Sequence, residues 1–201
     1  MKEYIEKLMR RENLSISEMK DATHKCFAED ITDSEIAAFL TALRVKGETS
    51  DEITGMTEVI RSQSHLHHIH VDHVMDNCGT GGDRSNSFNI STTAAFVIAG
   101  AGVPVAKHGN RSVSSKTGSA DVLEYLGVSL TFSKEQIQYI LEENKIVFLF
   151  APHVHATLKH FMKVRKELGV PTIFNAIGPL TNPISLDTQL LGVYHRELLY
   201  I

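Results

Sequence analysis

The sequence pattern changes at about residue 71, and this change constrains the fold more than any other feature. Residues 1–68 contain no proline and only two glycines, whereas glycines are frequent from Val71 onward. Beyond Val71, short β-prone segments alternate with helical ones. Such alternation is typical of a mainly parallel sheet with helices on both faces. We predict an α/β chain with a small all-helical domain over residues 1–70 and an α/β domain over residues 71–201.

The first part of the chain carries the local signals of four short helices. A capping box joins a hydroxyl to an acid three residues later, and three of them occur here: Ser15 with Glu18, Thr32 with Glu35, and Thr49 with Glu52. Gly47 follows a helical apolar pattern and suits the residue after a helix end. Each helix has one apolar face, and a face left uncovered would suit another domain or a second subunit.

The second part predicts four strands and four helices. The strands are expected at Val74–Cys78, Val103–Ala106, Val128–Phe132 and Ile146–Phe150. The helices are expected from Phe88 or Ser91 to Ala99, and at Ser119–Leu126, Ser133–Glu143 and Val154–Leu168. Ligands of parallel sheets bind beyond the carboxyl ends of the strands, and the glycine-rich segments of this chain fall there.

Composition excludes several classes of protein. A formal net charge of −4 argues against a dedicated nucleic-acid binder. No apolar stretch approaches the roughly 18 residues of a membrane span, and the first residues lack the apolar core of a secretory signal. Cys26 and Cys78 have no C-x-x-C spacing, so we predict buried or incidental thiols in a reducing cytoplasm.

Charge is distributed unevenly along the chain. From Arg84 to Ala120 there is no Asp or Glu, although the window holds four fixed cations and a histidine: Arg84, Lys107, Arg111, Lys116 and His108. This pattern suits a small polyanion held in one cleft. Chance clustering in a loop-rich region is the alternative interpretation.

A histidine-rich segment separates the two patterns. It contains His65, His67, His68, His70 and His73, together with Asp72. The spacing could assemble a metal site, but no cysteine joins these residues. We therefore predict a solvated linker.

Two segments suggest phosphate binding. The run Asp76–Asp83, Asp-Asn-Cys-Gly-Thr-Gly-Gly-Asp, follows a predicted strand, so it is either a phosphate loop or a tight turn. The run Asn89–Thr93, Asn-Ile-Ser-Thr-Thr, opens a predicted helix. Its residues either cap that helix or leave its N-terminus open to a phosphate.

Two further segments carry cations. The run Lys107–Ser115, Lys-His-Gly-Asn-Arg-Ser-Val-Ser-Ser, is dense in donors directly after a strand. Arg165 ends a predicted helix before the run Phe174–Pro183, and it is either a helix-end cation or a fork for a carboxylate. Asp121 and Glu124 suit the start of their helix and need no catalytic role.

These four segments, in this order and spacing, resemble anthranilate phosphoribosyltransferase, a nucleoside-phosphorylase-like phosphoribosyltransferase family. The matching motifs are D-x-x-G-T-G-G-D, N-I-S-T, K-H-G-N-R-S-x-S-S and G-P-L-x-N-P, and the resemblance covers essentially the whole chain. It implies transfer of phosphoribose from 5-phosphoribosyl 1-pyrophosphate to anthranilate with magnesium, in tryptophan biosynthesis, by a cytoplasmic homodimer that pairs through its N-terminal helices.

The resemblance also implies site residues. The donor would be held by Gly79, Gly82, Asp83, Ser87, Asn89, Ile90, Ser91, Thr92, Lys107, His108, Gly109, Asn110, Arg111, Ser112, Val113, Ser114, Ser115 and Ser119. Ser87 stands where the family often has threonine. Anthranilate would contact Gly79, Asn110 and Arg165, and Ser91 would bind magnesium. The implied displacement at the ribose C1 is dissociative and needs little general-base chemistry.

The family continues well beyond the length of this chain, and its acidic pair for magnesium lies in that continuation. We therefore expect a fragment or truncated product that has little transferase activity alone and leaves Leu186–Val193 at an exposed sheet edge. A pyrimidine-nucleoside phosphorylase and a non-catalytic binding module are the alternatives. The N-I-S-T and K-H-G-N-R motifs and Arg165 argue against the phosphorylase.

Overall fold

The computed structural model describes residues 1–66, 68–81, 87–112, 117–193 and 196–200. These residues form two compact units. A helical unit is built from Met1–Gln63 and His155–Thr181, and an α/β unit from Ser64–Val154 and Asn182–Leu199. The division of the chain into two domains at residue 70 remains a prediction. In the structure, residues 155–181 pack with the N-terminal helices in the helical unit.

The helices and strands have the following bounds. The α-helices are α1 (Lys2–Met9), α2 (Ile16–Lys25), α3 (Asp33–Lys46), α4 (Ser50–Ser62), α5 (Ile90–Gly100), α6 (Ser119–Tyr125), α7 (Lys134–Asn144), α8 (Ala151–Val154), α9 (Lys159–Leu168) and α10 (Phe174–Ile177). The strands are β1 (Met75–Gly79), β2 (Val105–Gly109), β3 (Ile146–Phe150) and β4 (Thr188–Gly192). Single 3-10 turns cover Ala156–Leu158, Gly178–Thr181 and Arg196–Tyr200.

The four predicted N-terminal helices are confirmed, and all three predicted capping boxes form. Their apolar faces enclose a core that also takes side chains from α9 and α10. Phe161 of α9 is fully buried there, and its ring lies 5.5 Å from that of Phe27 and 5.1 Å from that of Phe174. The apolar faces of α1–α4 are therefore completed by residues about 100 positions later in the chain.

A buried ion pair holds the helical unit together. The Lys46 side chain is 3% exposed and that of Glu52 is 0% exposed, and their charged atoms lie 2.9 Å apart. Glu52 also accepts hydrogen bonds from the amides of Leu14 and Thr49, each at 2.9 Å. The carboxylate thus joins the end of α3, the start of α4 and the α1–α2 loop, and these partners offset its loss of water.

The α/β unit contains a parallel sheet of the order β3-β2-β1-β4 among the described residues. Helices α5 and α6 pack on one face, where Ala95 meets Val105 and Leu123 meets Phe148. Helix α7 packs on the other, where Leu141 joins the core of that face. The predicted parallel sheet flanked by helices is confirmed.

The strand predicted at Val128–Phe132 is wrong. This segment is irregular and connects α6 to α7. The Ser129 hydroxyl donates to the carbonyl of Thr131 at 3.2 Å and accepts from its amide at 3.4 Å. Local hydrogen bonds of this kind compete with pairing in a sheet, and Leu130 is buried here without a strand.

Two other elements have different bounds from those predicted. Strand β2 begins at Val105 and continues through Lys107 and His108, which were expected in a loop. The helix expected from Val154 to Leu168 is interrupted at His155, whose φ of −121° and ψ of 52° are not helical. Strand β4 confirms the expected edge strand, and its Leu190 is 64% exposed.

Both cysteines are buried thiols outside any disulfide, and their burial agrees with the prediction. Burial raises the pKa of the Cys26 thiol to about 12 and also raises the pKa of the Cys78 thiol. The thiol forms of both residues are therefore favoured.

The histidine-rich segment presents its described histidines, 65, 68, 70 and 73, to solvent, while Leu66 and Ile69 are buried. His67 lies outside the described residues. Among the residues that the structure describes, no three or more His, Cys, Asp or Glu side chains are gathered as a metal site would require. Within the same ranges, no helix combines the length and the apolar character needed to cross a bilayer.

His155 makes the stability of the helical unit depend on pH. Its ring is buried, its Nε2 donates to the carbonyl of Thr181 at 2.8 Å, and burial lowers its pKa to about 4. Because the unfolded chain binds this proton near pH 6.5, acidification from about pH 6.5 to 4 favours unfolding. We expect the wild-type chain to lose roughly 3 kcal/mol more unfolding free energy over this window than a His155→Gln variant does.

Urea unfolding at pH 7 and pH 4.5 measures this difference. The neighbouring His153 is exposed, so His153→Gln is the matched control and should follow the wild-type dependence. Equal acid losses in the wild type and in His155→Gln would contradict the assignment.

Candidate functional site

The parallel register brings the motif segments to one edge of the sheet. Gly79 of β1 lies in register with Gly192 of β4, and Gly109 of β2 with Phe150 of β3. The segments that follow β1 and β2 therefore leave the sheet side by side. This is the edge at which parallel sheets bind ligands.

The Lys107 ammonium is buried at this edge. It donates to the carbonyl of Asn77 at 2.7 Å, and it lies 3.4 Å from both the Asn77 Oδ1 and the Ser91 Oγ. The Asn77 amide in turn donates to the carbonyl of Ser91 at 2.8 Å. Burial lowers the pKa of Lys107, and the negative charge of Asp76 opposes that shift. A positive charge is thereby fixed beneath the first turn of α5.

Asp76 occupies the opposite face of β1 and is fully buried. Its Oδ1 accepts from the His108 amide at 3.3 Å, and its Oδ2 accepts from the Asn182 side chain at 3.1 Å. Asn182 also donates to the carbonyl of Ala106 at 2.8 Å and accepts from the Ile184 amide at 3.0 Å. Burial raises the pKa of Asp76, while these hydrogen bonds and Lys107 act in the opposite direction.

No described side chain caps the N-terminus of α5. Asn89 occupies the N-cap position, but its side chain donates to the carbonyl of Gly118 at 3.2 Å instead of accepting from the helix. This excludes the interpretation of Asn89 as a capping residue. The Ile90 amide donates to the Phe88 carbonyl at 2.7 Å, whereas the amides of Ser91 and Thr92 have no partner among the described residues. Such amides at the start of an 11-residue helix favour a negatively charged group there.

The segment after β2 closes against the start of α6. The Asn110 carbonyl accepts from the Ser119 hydroxyl and from the Ala120 amide, each at 3.2 Å. A Cβ on Gly118 would lie 2.3 Å from the Ser112 nitrogen, so only glycine permits this approach. Asp121 accepts from the amides of Gly118 at 2.7 Å and Ser112 at 3.1 Å, as expected of an acid that belongs to the helix start.

Arg111 differs from the expectation of a free cation. Its guanidinium binds Glu124 through two nitrogens, at 2.7 and 2.9 Å, and Asp121 at 3.1 Å. Asp121 and Glu124 lie just after the acid-free window in the sequence, but their carboxylates contact Arg111 inside that window. The positive charge of Arg111 is therefore compensated within the chain.

The other described residues that were predicted to hold the donor lie along the same edge. Ser87 and Ile90 are exposed before and at the start of α5, Thr92 is buried in its first turn, and Gly109 ends β2. A Cβ on Gly79 would lie 3.0 Å from the Gly192 carbonyl oxygen, so Gly79 also permits the close pairing of β1 with β4. Five predicted residues lie outside the described residues: Gly82, Asp83, Val113, Ser114 and Ser115.

Arg165 belongs to the helical unit. Its guanidinium lies 4.9 Å from the centre of the Phe174 ring and 3.4 Å from the Asn175 Oδ1. No carboxylate within the described ranges forms an ion pair with it. Burial alone lowers its pKa, which leaves it a cation. The fork is therefore available to an anion.

Three residues of the site network were not assigned a role from the sequence: Asp76, Asn77 and Asn182. All three lie inside the motifs D-x-x-G-T-G-G-D and G-P-L-x-N-P. Polar residues at the end of an apolar strand could have indicated the first two. Nothing in the local sequence indicates that Asn182 reaches Asp76 across 106 positions.

Comparison with known proteins establishes the family. A family model described as "Glycosyl transferase family, a/b domain" matches residues 71–200, and one described as "Glycosyl transferase family, helical bundle domain" matches residues 2–64. The chain belongs to this glycosyl transferase family.

Individual relatives are more specific. The chain is 60% identical over 200 residues to the anthranilate phosphoribosyltransferase of Oceanobacillus iheyensis and 59% identical over 199 residues to that of Exiguobacterium sibiricum. Each alignment covers 99% of this chain but only 58% or 59% of the relative. The resemblance to anthranilate phosphoribosyltransferases is confirmed, and the chain spans somewhat less than three fifths of the length of these curated relatives.

Solved structures agree with this result. The anthranilate phosphoribosyltransferase of Thermus thermophilus matches with a TM-score of 0.89 at 41% identity, covering 96% of this chain and 59% of that one. The Saccharomyces cerevisiae enzyme in complex with PRPP and Mg matches with a TM-score of 0.88 at 32% identity, covering 98% and 59% respectively.

The Asp76–Asn182 contact should control both stability and the protonation of the carboxylate. Replacing Asn182 with Ala removes a donor from a buried carboxylate, which should cost roughly 2–3 kcal/mol of unfolding free energy. The pKa of Asp76 should rise further, because a hydrogen bond that lowers it is lost. Urea unfolding and carboxyl-carbon NMR titration measure the two effects.

Asn144 is exposed at the end of α7, so Asn144→Ala is the control and should stay within about 0.5 kcal/mol of the wild type. An Asn182→Ala variant with wild-type stability and an unmoved Asp76 titration would show that the contact is dispensable.

Proposed function

We propose that this chain carries the phosphoribosyl pyrophosphate site of an anthranilate phosphoribosyltransferase. The whole protein would transfer phosphoribose to the amine of anthranilate and release pyrophosphate, a reaction of tryptophan biosynthesis. The observation that carries this proposal is the uncapped N-terminus of α5, with the Lys107 ammonium 3.4 Å from the Ser91 Oγ. The similar yeast enzyme was solved with PRPP and Mg.

The site residues have different tasks in this proposal. The amides at the start of α5, with Asn89, Ile90, Ser91 and Thr92, receive phosphate oxygens. Lys107 lies beneath them and fixes a positive potential. The remaining contacts come from both glycine-containing segments, among them Gly79, Gly82, Asp83, Ser87, His108, Gly109, Asn110, Arg111, Ser112, Val113, Ser114, Ser115 and Ser119.

The chemistry required of these residues is electrostatic. The bond between the ribose C1 and the pyrophosphate oxygen breaks as the anthranilate nitrogen bonds to C1, and the nitrogen loses a proton. Negative charge collects on the departing pyrophosphate. Preorganised amides and a buried ammonium stabilise such charge without rearranging during the reaction.

Among the residues that the structure describes, magnesium fits as a partner of the donor. Ser91 offers one neutral oxygen beside the Lys107 ammonium, and the described residues assemble no cluster of three or more His, Cys, Asp or Glu side chains. Mg²⁺ prefers oxygen ligands that include carboxylates or substrate phosphates. When bound, the ion would neutralise charge on the pyrophosphate, and Ser91 is the residue of this chain that we propose as its ligand.

Anthranilate would be recognised by its carboxylate. Arg165 is half-buried on the Phe174 ring and has no carboxylate partner among the described residues. A planar guanidinium binds a carboxylate through two nitrogens, which lysine cannot do. Gly79 and Asn110 are the other residues proposed to contact anthranilate.

We also propose a cytoplasmic homodimer that pairs through the N-terminal helices. Met9, Ile16 and Val45 are 73%, 36% and 70% exposed at the ends of α1 and α3 and the start of α2. Lys46 binds Asn13 at 3.0 Å and so links the end of α3 to the α1–α2 loop. Two buried thiols outside any disulfide suit a reducing compartment.

Substitutions at Lys107 and Arg165 should affect different substrates. Lys107→Met keeps a similar volume but removes the charge, and it should weaken binding of PRPP with Mg²⁺ roughly 10- to 100-fold. Arg165→Lys keeps a charge but loses the fork, and it should weaken anthranilate binding more than donor binding. Calorimetry with the donor and anthranilate fluorescence measure the two affinities.

Each variant is the control for the other. Assaying the chain with thymidine and phosphate tests the phosphorylase alternative. Unchanged donor affinity in Lys107→Met would contradict the phosphate site. Equal weakening of both substrates by Arg165→Lys would make Arg165 a structural helix-end cation. We expect the 201-residue chain to bind the donor with little turnover, whereas turnover close to that of a full-length relative would show that this chain holds the metal fully.

The dimer proposal has a separate test. Val45→Glu should convert a dimer to a monomer in sedimentation velocity, because a charge in an apolar contact loses its water. Val170→Glu is the matched control, since Val170 is 54% exposed but lies outside α1–α4. A wild-type monomer at micromolar concentration would contradict the proposal.

A further inference from the structure

A partly open cavity of about 90 Å³ lies in the α/β unit between α5, α6, the α6–α7 connection and strand β3. Nine of its eleven lining residues are apolar, and three of these are phenylalanines: Phe96, Phe132 and Phe148. The two polar lining residues are Thr92 and Lys107. Both also belong to the proposed donor site, whereas the nine apolar lining residues have no role there.

Water is a poor occupant of this space. A buried water molecule makes two to four hydrogen bonds, and cavities lined by carbon stay dry. The Lys107 ammonium is already engaged by Asn77 and Ser91. The Thr92 Oγ1 is buried and has no hydrogen-bond partner among the described residues, so one hydroxyl remains for an occupant.

We propose that this cavity binds a small uncharged aromatic molecule, a single ring with no more than one polar substituent. The three phenylalanines offer the edge-to-face contacts that aromatic rings favour. An ionised ligand would lose its water without gaining a free counter-charge. Binding in the cavity needs neither the donor nor magnesium, although Thr92 and Lys107 belong to both proposed sites.

The dimensions suit a ring that is partly covered. An engineered cavity of about 150 Å³ lined by Leu, Ile and Phe binds benzene. The present cavity is smaller, but two of its lining residues, Phe96 and Val128, are 48% and 38% exposed. A ring can therefore enter beside them and leave one edge at the surface.

Fluorobenzene is a suitable probe, added to the 201-residue chain labelled at its Ile, Leu and Val methyl groups. We expect saturable methyl shifts at Leu123, Val128, Ile140 and Ile146, which line the cavity. Val97 and Leu190 are exposed apolar residues outside the lining, and their methyl signals should not move. Benzoate at the same concentration should shift none of the cavity signals.

A pair of matched variants tests the location. Val128 and Val103 are both 38% exposed, but only Val128 lines the cavity. Val128→Phe should fill the space and weaken fluorobenzene binding at least tenfold, whereas Val103→Phe should stay within twofold of the wild type. Equal affinities in the two variants, or wild-type shifts spread over Val97 and Leu190, would overturn the proposal. The wild-type shift map decides the question even if Val128→Phe does not fold.

Discussion

Burial of the Lys107 ammonium group constrains how the rest of the α/β unit is built. Removing an ammonium from water costs several kcal/mol unless fixed partners replace the lost hydration. Here the partners come from β1 and from the first turn of α5, and the Asp76 carboxylate on the other face of β1 opposes the loss of charge. Parallel pairing of β1 with β2 and close packing of α5 are both needed to place them.

The same arrangement gives the candidate site its electrostatic character. The charge is held on a strand, whereas the helix amides above it are left without a cap. Rigid elements that carry fixed dipoles and charges can stabilise a developing anion without reorganisation. The number of cations in the acid-free window overstates its uncompensated positive charge, because Arg111 is paired with Glu124 and Asp121. The position and surroundings of a cation therefore matter more here than the number of cations.

Within each of the two compact units, segments that are far apart in the sequence pack together. The helical core needs Phe161 and Phe174, which follow most of the sheet in the chain. Arg165 consequently belongs to the helical unit, although the residues proposed to hold the donor belong to the α/β unit. On the sheet side, Asn182 returns to bind Asp76 and the carbonyl of Ala106, so the end of the chain stabilises the first two strands.

The sequence by itself determined the elements whose signals are local. Capping boxes placed α2, α3 and α4. Alternating β-prone and helical segments indicated a parallel sheet with its glycine-rich turns at one edge. Both kinds of signal are local, because a cap or a turn depends on residues only a few positions apart. The motifs also supplied the residues that we propose for the donor site. Only the tertiary structure decided that Val128–Phe132 stays outside the sheet, that Asn89 does not cap α5 and that Arg111 is paired. Those outcomes depend on contacts between distant elements or on competition between alternative hydrogen bonds, which a local pattern does not encode.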